Sequence, residues 1–233
     1  MLAVVGSPTF MPGSMSAAAD AGGLAAGIAR AAAAAGSEVQ LVGKVGDDPA
    51  GDAVLVALAR GGVGNTGLMR DAGRATPIAS AADLEADPVA ADPIAALLAE
   101  AEVADRLPIS RGAGATSPAP GLALGPADIS RGLRHVREFR VLVAGEPLDE
   151  PCVVVVADAA AFVGATLVVI VPRGQAISTA LATAIVLEAP ERDPDGAFAA
   201  LVGRFAAALD RGVDAAAAFR AAIVEGGWER AAG

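Results

Sequence analysis

The sequence predicts an α/β domain built on a mainly parallel sheet with helices on both faces. Three observations carry that expectation. Short apolar runs ending in glycine alternate with longer Ala-rich stretches, and such alternation implies parallel strands joined by crossover helices. Helix limits are marked by residues suited to them, with Asp-Pro at one start and glycine at several ends. The composition is 54% hydrophobic but only 3% aromatic, with no Tyr and one Trp. The core must therefore come from small aliphatic side chains, which let helices lie close on a sheet. The 233 residues suffice for one domain, taken as 1–233, with a sizeable core.

The first apolar run, "LAVVG" (Leu2 to Gly6), reads as a buried strand. "LAAGIARAAAAAG" predicts a helix from Leu24 to Ala35 stopped by Gly36. "VQLVG" (Val39 to Gly43) is the next strand. "DDPAGDAVLVALARGG" then supplies Asp48 as N-cap, Pro49 at the first helical position and a helix running to Arg60. Residues 71–126 are rich in Ala, Pro, Gly and Asp; a helix is expected from Pro93 to Ala104, and "RGAGATSPAPG" after it reads as loop.

Regular alternation resumes with a helix from Ala127 to Arg137 and the strand "FRVLVAG" (Phe139 to Gly145). "CVVVVADAAAFVGATLVVIV" (Cys152 to Val171) has the length of a membrane span. Asp158 near its centre would cost about 2.5–3.5 kcal/mol in hydrocarbon. It is read instead as a buried helix from Pro151 to Val163, ended by Gly164, and a buried strand from Thr166 to Val171. "AIVLEAP" (Ala184 to Pro190) is a further strand. Phe198, Leu201, Val202, Phe205 and Leu209 then share one helical face. A last helix starts at the N-cap Asp214 and runs to Val224.

Charge excludes some partners. The formal net charge is −10, and no basic cluster is denser than "RGLRHVREFR" (Arg131 to Arg140), so the attraction that nucleic-acid phosphates need is lacking. The single Cys152 cannot form an internal disulfide, and the first residues carry no cationic run ahead of the apolar ones. Both point to a reduced, cytoplasmic setting without a membrane span. His135 lies among arginines and reads as a solvent-exposed helix residue, and no metal site is expected.

The stretch from Gly22 to Val63, "GGLAAGIARAAAAAGSEVQLVGKVGDDPAGDAVLVALARGGV", has a Gly-Gly pair, an Ala-rich helix, a strand, a G-x-V-G-D-D-x-x-G loop and a helix ending in Gly-Val. It resembles the first signature region of the PfkB/ribokinase family of carbohydrate kinases. "GLALGPADISRGLRHVREFRVLVAGEPL" resembles the central part of that family, and "DGAFAALVGRFAAALDRGVDAAAAFRAAI" its C-terminal signature helices. The resemblance implies a ribokinase-like three-layer sandwich. It further implies transfer of the ATP γ-phosphoryl group, with magnesium, to a sugar or nucleoside hydroxyl. In such chemistry an Asp of a G-A-G-D motif is the base and amide N–H groups of its loop hold the developing anion.

Set on that motif through Ala197 and Phe198, the phosphate-loop positions become Asp193, Pro194, Asp195 and Gly196, with Gly196 at the base position. Proline removes a donor, and the two carboxylates put negative charge where a polyphosphate would approach. Without chemistry, Asp195 serves as a helix cap. Gly22 and Gly23 fall on the substrate-binding turn, and Gly27 replaces the family's sugar-contacting Asn. "GSPTFMPGSMSAAAD" offers no acid before Asp20, and the residues between Gly6 and Gly22 are too few for the family's lid strands. The lid is expected to be reduced or absent, and a homodimer to cover the surface so exposed. The GDD at Gly46 to Asp48 mostly shapes a turn in the resembled family. These departures imply a member with phosphotransfer lost or severely impaired, serving in binding or regulation. The alternatives are an atypical kinase with Asp195 as base, and a structural subunit paired with a complete kinase.

Overall fold

Leu2, Ala3, Val4 and Val5 have no solvent exposure at all. They form strand β1 (Leu2–Val5) at the centre of the sheet. The computed structural model describes residues 1–13, 18–79, 122–136, 138–190, 193 and 195–226. The main sheet has six strands, in the order β5-β4-β1-β6-β7-β8, and every neighbouring pair is parallel. Here β4 is Val39–Gly46, β5 Val63–Asp71, β6 Val141–Ala144, β7 Thr166–Pro172 and β8 Ile185–Ala189.

Alternation along each strand sends side chains to opposite faces, and this builds three layers. Leu2 and Val4 join Leu41, Val143 and Ile170 on one face. Helices α1 (Leu24–Ala34), α2 (Pro49–Arg60), α5 (Ala197–Asp210) and α6 (Ala215–Gly226) cover that face. Ala3 and Val5 join Val42, Leu142 and Val169 on the other face, under α3 (Pro126–Leu133) and α4 (Glu150–Val163).

Helices α1 and α5 lie side by side in parallel. A Cβ on Gly27 would come 2.9 Å from the Ala199 Cβ, and one on Gly203 would come 2.6 Å from both the Ala31 Cβ and the Ile28 carbonyl oxygen. The pairs run in the same direction along both helices, so the two N-termini sit together. The close approach is what an Ala- and Gly-rich composition permits. Phe205, fully buried, meets Phe219 edge to face with ring centroids 5.6 Å apart, a geometry worth about 0.5–1.5 kcal/mol beyond its burial.

Most elements fall where the sequence places them. The span-length stretch divides into α4 and β7, with Gly164 in the left-handed conformation at φ 70° between them, but α4 is not the buried helix expected: only Cys152, Val153, Val156 and Ala160 are buried, because one face packs on the sheet and the other meets solvent. Among the described residues no helix is long and apolar enough to cross a membrane. His135 is exposed. β4 runs three residues further than expected, to Gly46, and β5 is a strand with no counterpart in the sequence reading. α3 starts at Pro126, where the Asp128 carboxylate accepts from the Gly125 amide, and it ends at Leu133, short of the expected Arg137. The helix expected over 93–104 and the loop after it lie outside the described residues.

One expectation needs correction. The segment between Gly6 and Gly22 does form strands: β2 (Thr9–Met11) and β3 (Asp20–Gly22) pair antiparallel. Phe10 extends this small sheet by accepting from the Ala79 amide and donating to the Pro77 carbonyl. Three residues per strand suffice because a neighbouring segment adds a third row. The segment thus carries a small sheet of its own beside the main one.

Candidate functional site

The chain builds β1, β4 and β5 toward one edge, then returns to the other side of β1 for β6, β7 and β8. The carboxyl ends of β1 and β6 thus flank the point where strand order reverses, the usual crevice for ligands in open parallel sheets. Gly6 and Ser7 follow β1 there, and Gly145 and Glu146 follow β6.

The crevice is tightly filled. A Cβ on Gly6 would come 2.5 Å from the Ala25 Cβ, and one on Gly145 would come 2.9 Å from the Ala25 Cα. The first turn of α1 therefore sits directly over it. The Ser7 amide donates to Glu146 Oε2 at 3.0 Å. Ser7 is buried, and its hydroxyl lacks a hydrogen bond of normal geometry. Burial is the main influence on the Glu146 carboxyl and pushes it up to about 7, against the lowering effect of the Ser7 amide and hydroxyl. Glu146 was not singled out in the sequence. Its only signal there is an acid directly after a strand that ends in glycine.

Gly22 closes β3 with Met11 and Thr9 side chains where its own would be, and Gly23 caps α1 at φ 89°, a conformation that favours glycine. Gly27 lies in the α1–α5 contact. Asp20 is ion-paired with Arg30. The Gly22–Gly23 turn and the start of the helix near Gly196 lie at the same end of the fold, since α1 and α5 pack with their N-termini together.

At the start of α5 the capping differs from expectation. Gly196 is the N-cap at φ 65°. The side chain that holds the helix start is Asp193, not Asp195. Asp193 Oδ1 accepts from the Phe198 amide and Oδ2 from the Ala199 amide, each at 2.9 Å. The Gly196 amide in turn donates to the Asp193 carbonyl. Because Gly196 takes a left-handed conformation, the chain doubles back and brings the earlier aspartate over the helix axis; Asp195 is left exposed in the turn. Pro194 lies outside the described residues.

A helix N-terminus offers its first amides to an anion. Here two of them are already bonded to a carboxylate of the same chain, so an ATP phosphate does not fit this helix start without displacing Asp193. Among the described residues no group of three His, Cys, Asp or Glu side chains is placed to hold a metal ion. Two surface grooves lie elsewhere. One, of about 410 Å³, runs between Asp20, Arg30 and Arg60. The other, of about 420 Å³, is lined by Asp158, Thr166 and Thr183, at the end of the sheet where β7 begins.

The loop after β4 is held by Asp48. Its carboxylate accepts from the Gly51 amide, the Thr76 amide and the Thr76 hydroxyl, each at 2.7 Å. Burial raises the Asp48 pKa, but the Thr76 and Gly51 amides, the Thr76 hydroxyl and the Ala50 amide outweigh it and leave it lowered. This agrees with a turn-shaping role for the GDD stretch. Thr76 was not identified from the sequence, because its partner lies 28 residues away.

Residues 14–88 match the pfkB family carbohydrate kinase pattern. No curated protein sequence matches the chain. Among solved structures, the PfkB protein from Polaromonas sp. JS666 is similar at 15% identity and a TM-score of 0.59, covering 97% of this chain and 94% of that one. Ribokinase from Arabidopsis thaliana, solved with ribose and ATP, is similar at 16% identity and a TM-score of 0.59, covering 95% of this chain and 89% of that one. Residues 14–88 are thus similar to the pfkB family carbohydrate kinases, and the chain as a whole has a ribokinase-like α/β fold.

Proposed function

We propose that this chain is a carbohydrate-kinase relative that has given up phosphoryl transfer and acts by binding, as a regulatory or partner-binding protein. The observation that carries this reading is the Asp193 carboxylate on the amides of Phe198 and Ala199. In-line transfer needs a base within reach of the hydroxyl and donors free to receive the developing charge. Gly196 stands at the base position, and the chain supplies its own anion to the donors. Loss of one such element costs about 10² to 10⁴ in rate, so loss of both removes turnover.

The test is ADP release with a panel of sugars and nucleosides, comparing the wild-type chain with Asp195→Asn. No turnover is expected from either. Turnover above about 0.1 per second, below the usual range for kinases, that Asp195→Asn abolishes would establish Asp195 as the base and overturn the reading.

The proposal places the protein in the cytoplasm, with Cys152 reduced, as a homodimer with a small sugar or nucleoside as its possible ligand class. Exposed apolar side chains such as Phe162, Ile78 and Ile177 favour association. Light scattering at micromolar concentration should report twice the chain mass; a monomer would remove this part of the proposal.

A further inference from the structure

Strand β8 ends the main sheet. Among the described residues its backbone pairs with β7 alone, so its outer row of amides and carbonyls has no strand partner there. Such a row is a template for another strand unless charge, proline or a bulge blocks it. The opposite edge is blocked: β5 carries Asn65, Thr66, Arg70 and Asp71, Arg70 is ion-paired with Asp47 and Asp52, and the pairing with β4 is interrupted by a bulge. β8 has none of these devices except Glu188. Ile185, Leu187 and Ala189 are half-buried against one core, and Val186 is half-buried against the other. We propose that β8 is the dimer interface: it pairs antiparallel with β8 of a second copy about a two-fold axis at Leu187, joining the two six-stranded sheets edge to edge. The interface presupposes the homodimer proposed for this chain and names the surface that makes it.

Charge and pattern fix the register. A two-fold axis normal to the sheet brings like faces together, and because side chains alternate along a strand the axis must pass through a residue, not between two. Centred on Leu187, it pairs all five residues: Leu187 meets its own copy, Ile185 meets Ala189 of the second copy, and Val186 meets Glu188 of the second copy. Centred elsewhere, it leaves strand residues unpaired. Centred on Glu188, it also sets one carboxylate directly against the other, which is unfavourable in a chain of formal net charge −10. In the Leu187 register no charge of β8 faces a like charge. One face of the joint is then wholly apolar and continues the core that Ile185, Leu187 and Ala189 already touch. Cross-strand apolar pairs of this kind stabilise a sheet, and a pattern that matches itself suits a second copy of the same chain.

Disulfide trapping reads that register. Residues directly opposite across an antiparallel pair have Cα atoms about 4.5–5.5 Å apart, within the reach of a disulfide. Leu187→Cys should therefore form a covalent dimer with oxidised glutathione as the oxidant. Ala189→Cys, on the same face, should not, since it stands four residues, about 13 Å, from its copy along the strand. The single native thiol, Cys152, is buried and should give no link in the wild type. Light scattering of the wild type at micromolar concentration separates the dimer from its interface. A monomer removes both, whereas a dimer in which Leu187→Cys fails to link, or Ala189→Cys links equally, removes the interface alone. If Leu187→Cys does not fold, hydrogen exchange of the wild-type segment Ile185–Ala189 decides: protection lost on dilution in step with the dimer mass supports the interface, and protection that does not change with concentration overturns it.

Discussion

Helices α2 and α5 each begin under an aspartate, but the two aspartates hold different amounts of the molecule. Asp48 stands directly before α2 and also grips Thr76, whose hydroxyl in turn accepts from the Gly46 amide at 2.9 Å. One carboxylate thus ties together the end of β4, the start of α2 and the turn beyond β5. Among the described residues, Asp193 reaches back over Gly196 and holds only the first turn of its own helix. A cap that also has a distant partner fixes the fold, whereas a cap with only local partners closes a surface and can be removed at small cost.

This contrast predicts an ordered set of effects on stability in urea unfolding. Asp48→Ala loses a cap and leaves the Thr76 amide without its acceptor, and should cost about 2–4 kcal/mol. A cost under about 1 kcal/mol would show that Thr76 finds another partner and would break the contrast. The Asp48 contribution should also depend on pH in one direction. Its pKa is lowered in the folded chain, so the stabilisation is complete above the ordinary value of 3.8 and is lost as pH falls through the folded value. Asp193→Ala should cost about 1 kcal/mol, the usual worth of a cap. Asp195→Asn, at an exposed turn, should lie within about 0.5 kcal/mol of the wild type. If Asp195→Asn costs more than Asp193→Ala, the assignment of the α5 cap is reversed.

The two aspartates also mark what the sequence could tell. Asp48-Pro49 is a cap adjacent to its helix, so local rules found it. The same rules chose Asp195, because they look next to the helix and cannot foresee that Gly196 folds the chain back on itself. β1 and β7 were legible because burial on both faces leaves an unbroken apolar run, whereas α4 was legible by the Pro151 and Gly164 at its ends. β5 was not: in Val63–Asp71 only Val63 and Gly67 are buried, and the pairing with β4 is interrupted by a bulge between Gln40 and Val42. β2 and β3 are too short to carry a period. Gly22 and Gly23 were placed on a turn only through the resemblance to the kinase family, while the link from Ser7 to Glu146 crosses 139 positions and leaves no local trace.

The central place of β1 has a consequence during synthesis. Its neighbour β4 follows soon behind, but its other neighbour, β6, is not made until Ala144 has been added. At about 5–20 residues per second, the apolar segment Leu2–Val5 waits for several seconds on the ribosome with one side unpaired. A nascent chain of this protein therefore carries an open strand edge from the completion of β1 until β6 is made, and chaperone engagement at that stage should depend on Leu2–Val5 rather than on the residues that complete the sheet.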